Sequence, residues 1–362
     1  MTLIAGQGFD ITTTITHYTL GIGWDADNSF NGNSPSSAAS RNATGNGLLL
    51  TTSSARMAWV IEESLRDDLL ILGVAYKPIS FYTTAGHMNV ILSLYSDSTT
   101  RLHVLLGHDN TGKIQVKKDN TNGTLLGEEV GNTFSLLNIY HYVEMKVRLD
   151  DTNGSVEVRV DGSTAPVINV TGVDTKTALA TDTTFGTVML RGSFSTSVAG
   201  TGHFDDFYLC NEQGSMNNDF LGDVVIQPLS PNGNGTTSEL TGSDGNSVDN
   251  YLLVDESPAN TSDYVGSATD NLRDTYAFSN VSGTPTTIRG VAIYAFASKS
   301  DAGAKSLALV TRSGGTEAQT ADEALSLTWR YFQHLYETDP TDSAVWTQTK
   351  VDNAEFGVKV RP

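Results

Sequence analysis

A chain of 362 residues with 41 acidic against 22 basic side chains, and a formal charge of −19, exceeds one ordinary domain and presents a surface that repels phosphate backbones. With 38% hydrophobic residues, 8% aromatic residues and 34 glycines, it is too apolar for disorder and suits short strands joined by many polar turns. No nucleic-acid partner is expected, and no run approaches the roughly 18 apolar residues that cross a bilayer as a helix, so no membrane insertion is expected.

In chain order, the first 40 or so residues alternate Thr-rich with Gly/Asn/Ser-rich pieces around one strand candidate, Ile11–Tyr18. Met1-Thr2-Leu3-Ile4-Ala5 lacks the basic and long apolar regions of an export signal, so synthesis in the cytoplasm without ordinary export is expected. From Arg56 the strand signal is dense: Arg56–Ile61, Leu69–Tyr76, Met88–Tyr95, Arg101–Leu106 and Lys113–Lys118 are strand-length runs separated by Gly, Asn, Asp or Ser.

The clearest local signal is His141–Leu149 followed by Ser155–Val160. Tyr142, Glu144, Lys146 and Arg148 alternate with Val143, Met145, Val147 and Leu149, and Glu157 and Arg159 alternate with Val156, Val158 and Val160. That pattern predicts one wet and one buried face on each strand. Asp150-Asp151-Thr152-Asn153-Gly154 supplies the hairpin turn. Strands at Thr187–Arg191 and Phe204–Cys210 close a first domain, 1–210. The lone cysteine, Cys210, excludes an intramolecular disulfide and reads as a buried thiol within Phe207-Tyr208-Leu209-Cys210.

A polar stretch at 211–220 reads as a linker, and a smaller sandwich is expected over 221–362. Its expected strands are Leu221–Gln227, Tyr251–Asp255, Thr275–Phe278, Ile288–Ser298, Ser306–Arg312, Trp329–Glu337 and Phe356–Val360. Between the first two lies a turn-rich loop, Pro231–Asp249, long enough to be functional or mobile. Trp346–Ala354 predicts one or two helical turns. No repeat of fixed period argues for a solenoid or propeller.

Linear motifs of catalysis are missing. There is no Walker loop, no His-Glu-x-x-His, no Cys-x-x-Cys and no Gly-x-Ser-x-Gly. Gly21-Ile22-Gly23 and Gly200-Thr201-Gly202 lack the third glycine of a dinucleotide site. His17, His87, His103, His108, His141, His203 and His334 show no metal-ligand spacing. The Glu-x-Asp-x-x-Glu of sandwich glycanases is absent; Glu62-Glu63 and Glu128-Glu129 are adjacent and point to opposite strand faces, and Glu157 and Asp161, four apart, could share a face, but Asp161-Gly162 reads as a turn.

Asp25-x-Asp27-x-Ser29 starts like a calcium loop but has Phe30 where the sharp-turn glycine belongs. Asp150-Asp151 and Asp205-Asp206 are alternatives at strand ends. Ca2+ therefore stays the one cofactor to consider, beside the plainer reading of solvated turn carboxylates. For a sugar-stacking platform, Trp24 and Trp346 are the expected exposed indoles, and Trp59 and Trp329 are expected in the core.

Residues His141-Tyr142-Val143-Glu144-Met145-Lys146-Val147, the turn, Gly154–Gly162, and Phe204-Asp205-Asp206-Phe207-Tyr208-Leu209 resemble the hairpin and final strand of the laminin G-like or concanavalin A-like sandwich. More widely, the chain resembles virion proteins of tailed bacteriophages. Asn217-Asn218-Asp219-Phe220-Leu221-Gly222-Asp223, Pro231-Asn232-Gly233, Lys299-Ser300-Asp301-Ala302-Gly303, Arg312-Ser313-Gly314-Gly315, Glu337-Thr338-Asp339-Pro340 and Ala354-Glu355-Phe356-Gly357-Val358 carry that resemblance over most of the chain.

The resemblance implies an all-β protein of two jelly-roll-like sandwiches on the exterior of a virion, in the tail tip or fibre or decorating the head. Other virion proteins, further copies of itself in a homo-oligomer, and a host surface glycan are the implied partners. It brings no catalytic or cofactor-binding residues, and an enzyme is not expected. A carbohydrate-binding adhesin and a polysaccharide hydrolase or lyase are the alternatives.

Overall fold

The computed structural model describes residues 3–10, 24–25, 33–41, 45–50, 56–81, 88–96, 101–177, 183–192 and 201–362. The expected strand Ile11–Tyr18, Gly21-Ile22-Gly23, His17, His87, Asp27, Ser29 and Phe30 lie outside them, as does Gly200. The chain forms two compact units meeting in sequence between Ile226 and Gln227. The expected linker at 211–220 therefore belongs to the first unit. The structure is nearly all β, as the spacing of apolar runs requires.

The first unit comprises β1 (Leu3–Gln7), β2 (Trp24–Asp25), β3 (Asn33–Ser36), β4 (Gly47–Leu50), β5 (Arg56–Val60), β6 (Leu69–Ser80), β7 (Asn89–Tyr95) and β8 (Leu102–His108), followed by β9 (Ile114–Lys118), β10 (Leu125–Glu128), β11 (His141–Arg148), β12 (Gly154–Val160), β13 (Ile168–Val173), β14 (Thr187–Arg191) and β15 (Thr201–Asn211). One sheet runs β13-β12-β11-β6-β15-β4-β3, with β1 also on β15; the other runs β10-β9-β8-β7-β14-β5-β2. They pack face to face as a sandwich. Across the middle Trp24 meets Phe207 at 5.3 Å and Tyr76 meets His108 at 5.8 Å, while Phe204, the strand partner of Tyr76 in its own sheet, lies 5.0 Å from it. Each such buried aromatic contributes roughly 2–3 kcal/mol by leaving water.

The β11–β12 hairpin pairs Val143 with Val160 through Arg148 with Ser155, the register the alternation demands. Its wet face departs from expectation at two places. Tyr142 and Glu144 are buried, because chain from Asp219 to Ile226 lies over them. That segment was expected to hold the first strand of the second domain, yet it makes no strand: its backbone N–H groups bond to side chains of the sheet beneath, and so no ladder forms.

The second unit contains β16 (Pro231–Ser238), β17 (Thr241–Gly242), β18 (Val265–Gly266), β19 (Arg273–Phe278), β20 (Val291–Ala297), β21 (Ser306–Ser313), β22 (Thr316–Gln319), β23 (Glu323–Ala324), β24 (Arg330–Tyr336), α1 (Gln348–Asn353) and β25 (Glu355–Arg361). A sheet ordered β16-β19-β25-β21-β22, with β23 on β21, and the separate β20–β24 pair enclose Ile293, Leu307, Leu309, Phe332, Trp346, Val351 and Phe356. The first 8 residues of the turn-rich stretch 231–249 are edge strand β16. Its Gly/Asn composition hides a strand whose Thr236 is held by both oxygens of Glu355. Tyr251–Asp255 is no strand; Asn250–Leu253 makes a 3-10 turn.

Candidate functional site

In the second unit one buried carboxylate organises the loops. Asp274 on β19 accepts the N–H groups of Glu239 and Leu240 at 2.7 and 2.8 Å on one oxygen, and Asn250 Nδ2 and the Tyr276 hydroxyl at 2.6 and 3.0 Å on the other. This fixes the start of β17, which pairs Thr241 with Gly266 and Gly242 with Val265 of β18. The ladder continues where Ser243 N–H donates to the Tyr264 carbonyl at 2.8 Å. Tyr264, next to β18, is thereby held with its side chain 44% exposed.

Tyr264 stands 6.2 Å from Trp329, which stacks on Phe296 at 5.4 Å and 27°. Phe296 in turn contacts Tyr331, its partner across the β20–β24 pair, at 4.7 Å. The Tyr331 hydroxyl bonds to the backbone of Ala259, tying the loop before Tyr264 to the same hairpin. That loop carries Asp255, Glu256 and Asp263; burial and then those two acidic neighbours push the Glu256 carboxyl above its usual range. The result is an aromatic patch beside a loop that carries three acidic side chains, in which ring faces can meet the C–H face of a sugar. Trp24, Trp59 and Trp346 are buried in the cores, whereas Trp329 is only half-buried. The expected assignment is reversed for Trp24, Trp346 and Trp329, because β2 pairs Trp24 against Trp59 and the Trp346 Nε1–H donates to the Tyr336 carbonyl at 3.2 Å.

The first unit concentrates its unusual charges on the outer face of the eight-stranded sheet. Along β15 the register moves from Asp205↔Ala75 to Tyr208↔Gly73, so one extra residue bulges, and Asp206 takes φ 50°. The bulge lets Phe204 and Phe207 both face the core while Asp205 and Asp206 both leave it. These carboxylates therefore lie within a strand, not at a strand end. Asp205 accepts the Arg41 N–H at 2.7 Å, and Asp206 accepts the Ile226 N–H at 2.8 Å and the Arg41 guanidinium at 3.3 Å. Arg41 also pairs with Asp223 and lies over the Tyr142 ring at 5.3 Å. Burial, and for Asp205 the charge of Asp206, raises both carboxyls. Asp10, which accepts the Asn46 N–H at 2.7 Å, is pushed up by burial to about 7. Linear motif reading could not join Asp10, Arg41, Asp205 and Asp223; its one signal was the Asp-Asp pair flanked by aromatics, which strict alternation cannot accommodate.

Several of the other candidates make local structural contacts. His103 accepts the Thr177 N–H at 3.1 Å; His108 donates from Nδ1 to the Asp109 carbonyl at 2.8 Å and meets the Tyr76 hydroxyl at 3.2 Å. His141 pairs with Asp161 at 2.8 Å. Glu129 is buried, accepting Ile114 and Thr133 N–H groups at 2.8 Å each, while Glu128 faces Lys113 at 3.0 Å. Asp150 caps its own turn by accepting the N–H groups of Thr152 and Asn153. Among the described residues one carboxylate trio, Asp67, Asp68 and Glu212, could reach a common cation, but Arg148 already bridges Asp68 and Glu212 at 2.7 and 2.9 Å. The donor set thus supplies its own positive charge and does not call for Ca2+. No helix among the described residues is long and apolar enough to cross a membrane.

No family model and no curated protein sequence matches the chain. Among solved structures it is similar to a sialidase of Trypanosoma rangeli (TM-score 0.33, 15% identity, 46% of this chain and 25% of that one). It is also similar to the binding domain of Paraclostridial Mosquitocidal Protein 1 (0.39, 8%, 67% and 60%) and to an alginate lyase from a Chlorella virus (0.37, 8%, 58% and 99%). The chain spans about a quarter of the sialidase's length. At these scores the likenesses accompany the all-β build and assign no chemistry. The expectation that the chain is not an enzyme does not stand: a sialidase, a GH43 protein and an alginate lyase are among the solved structures similar to it. Missing linear motifs are no ground for excluding catalysis in a fold that assembles Asp10, Asp205 and Asp206 from opposite ends of one unit.

Proposed function

We propose that the chain is an exterior component of a tailed-bacteriophage particle, at the tail tip or fibre or on the head, where it contacts other virion proteins and a host surface glycan. The resemblance of its turn segments to phage virion proteins motivates the location. The glycan reading rests on one observation, the Tyr264–Trp329–Phe296 patch of the second unit. Aromatic faces bury the apolar side of a pyranose, and the adjacent loop's Asp255, Glu256 and Asp263 disfavour anionic sugars, so the ligand is a neutral or amino-bearing glycan.

Two measurements test this. Immunogold labelling of intact particles places the chain on tail or head, and its absence from purified particles overturns the virion reading. A glycan array probed with the purified chain is expected to show neutral or amino sugars bound, with Trp329→Ala and Tyr264→Ala each several-fold weaker, about 1 kcal/mol for a lost stacking contact. Binding unaffected by both substitutions overturns the assignment of the patch. Release of reducing or unsaturated sugar from host capsule by the same protein would replace simple binding with a carbohydrate-processing role.

A further inference from the structure

The segment from Asp219 to Ile226 crosses the outer face of the eight-stranded sheet from β12 to β1 without joining it. Phe220 lies under the Arg159 guanidinium at 4.0 Å, and Asp219 pairs with Lys146 at 3.1 Å. The Leu221 N–H donates to the Tyr208 hydroxyl at 3.3 Å and the Gly222 N–H to Glu144 at 2.8 Å. The Tyr208 hydroxyl itself donates to Glu144 at 2.5 Å. Arg41 clamps the Asp223 side chain and the Val224 carbonyl, the latter at 3.1 Å, and the Ile226 N–H ends on Asp206. Beyond that point Ile226 rests on β1 and the residue after it: a Cβ on Gly6 or Gly8 would meet it at 3.6 or 3.2 Å.

We infer that residues 219–226 form a strap whose attachment is set by pH: it is fastened while the carboxyl groups beneath it share protons, and it loosens when they are all ionised. The anchors are side chains, so the strap's grip depends on the charge state of the sheet, which a strand ladder's would not.

The groups facing it can be taken element by element. From the end of β1 comes Asp10; from the β3–β4 connection, Arg41; from β11 and its approach, Tyr140, His141, Tyr142, Glu144 and Lys146; from β12 and its end, Arg159 and Asp161; from β15, Asp205, Asp206 and Tyr208; and from the strap, Asp219 and Asp223. Among the described residues Arg41 is the one cation bonded to the Asp206–Asp223 end, and Lys146 and Arg159 serve the Phe220 end. With Asp10, Asp205, Asp206 and Asp223 all charged, that first end carries four negative charges against one guanidinium. Burial raises Asp10, Asp205, Asp206 and Glu144 together. A carboxyl raised by burial favours the closed form at low pH and opposes it once ionised, and for Glu144 and Asp206 burial outweighs the strap's own Gly222 and Ile226 N–H groups, which favour the ionised form; the strap therefore weakens as pH rises from the ordinary carboxylate range through the raised titrations of Asp10, at about 7, and of the Asp205–Asp206 pair. Release would uncover the Tyr142–Tyr208 stack on the sheet's outer face.

The test is amide hydrogen exchange of the whole chain at pH 6 and pH 9, corrected for intrinsic rates. Protection at Leu221, Gly222 and Ile226 is expected to fall at least about tenfold, the equivalent of one pKa unit, while the β11–β12 hairpin keeps its protection. Asp10→Asn, which keeps an acceptor for the Asn46 N–H, and separately Asp205→Asn are expected to reduce that fall. Unchanged strap protection in the parent chain overturns the proposal. So does an equal fall in the hairpin, which would be unfolding of the unit, or an undiminished fall in both variants.

Discussion

Replacing Asp274 by Ala tests the claim that one buried carboxylate builds the loops supporting Tyr264. Asp274 has no exposed surface and accepts four hydrogen bonds from two backbone N–H groups, an amide and a phenol. Ala leaves all four donors facing a small void. The Asn250 amide retains the Leu240 carbonyl at 3.0 Å and the Glu239 N–H retains the Arg273 carbonyl at 3.1 Å, so two donors, the Leu240 N–H and the Tyr276 hydroxyl, lose their partner. At about 1–3 kcal/mol per unsatisfied buried donor, partly recovered by relaxation and entering water, the loss is about 2–4 kcal/mol for the second unit. Asp274→Asn, which keeps one acceptor oxygen for the Glu239 and Leu240 N–H groups, is expected to cost less. Denaturant unfolding, followed by exchange at Glu239 and Leu240 with the β11–β12 hairpin as internal reference, measures both variants. Glycan binding is expected to fall with them, since Tyr264 hangs on β18. A cost below about 1 kcal/mol would refute the reasoning and mean that β17 and β18 hold themselves.

Other consequences can be measured in the first unit. Gly73 makes room for the stacked tyrosines: a Cβ there would lie 2.3 Å from the Tyr208 ring and 2.8 Å from that of Tyr142. Gly73→Ala is therefore expected to cost about 1–3 kcal/mol in denaturant unfolding, and a neutral result would show that the rings move freely. Burial depresses His108 to about 4, so between pH 6.5 and 4 the unfolded chain takes up a proton that the folded chain refuses. Its contribution is full above pH 6.5 and is lost as pH falls towards 4, roughly 3 kcal/mol in all. His108→Gln is expected to close that much of the gap to the parent chain between pH 7 and pH 4; a gap independent of pH would contradict a buried neutral imidazole. Arg41→Gln leaves Asp206 and Asp223 without their guanidinium and is expected to raise exchange at Ile226, a result that unchanged protection would deny.

What the sequence determined by itself is the local alternation. The β11–β12 hairpin is readable because a half-buried strand must alternate, and its register follows from Val143 opposite Val160 and Val147 opposite Val156. A second signal, apolar runs of strand length, marks β6, β7, β14, β21 and β25 to within a few residues, since such runs bounded by turn residues have few other uses. Composition likewise settled that the protein would be nearly all β. Tertiary structure decided everything that depends on what covers a face. Tyr142 and Glu144 occupy wet positions by alternation and are buried only because the strap returns over them. Leu221–Ile226 has strand-like apolar content, yet its donors find carboxylates and a phenol. Trp329 sits in an apolar run, but its ring stacks on Phe296 and stands beside Tyr264, whereas Trp24, in a region that reads as loop, pairs into the core. The bulge that turns Asp205 and Asp206 outward together, and the arrival there of Asp10 and Arg41, are long-range events. Their physical cause is packing and desolvation between residues far apart in the chain, and no linear spacing encodes it.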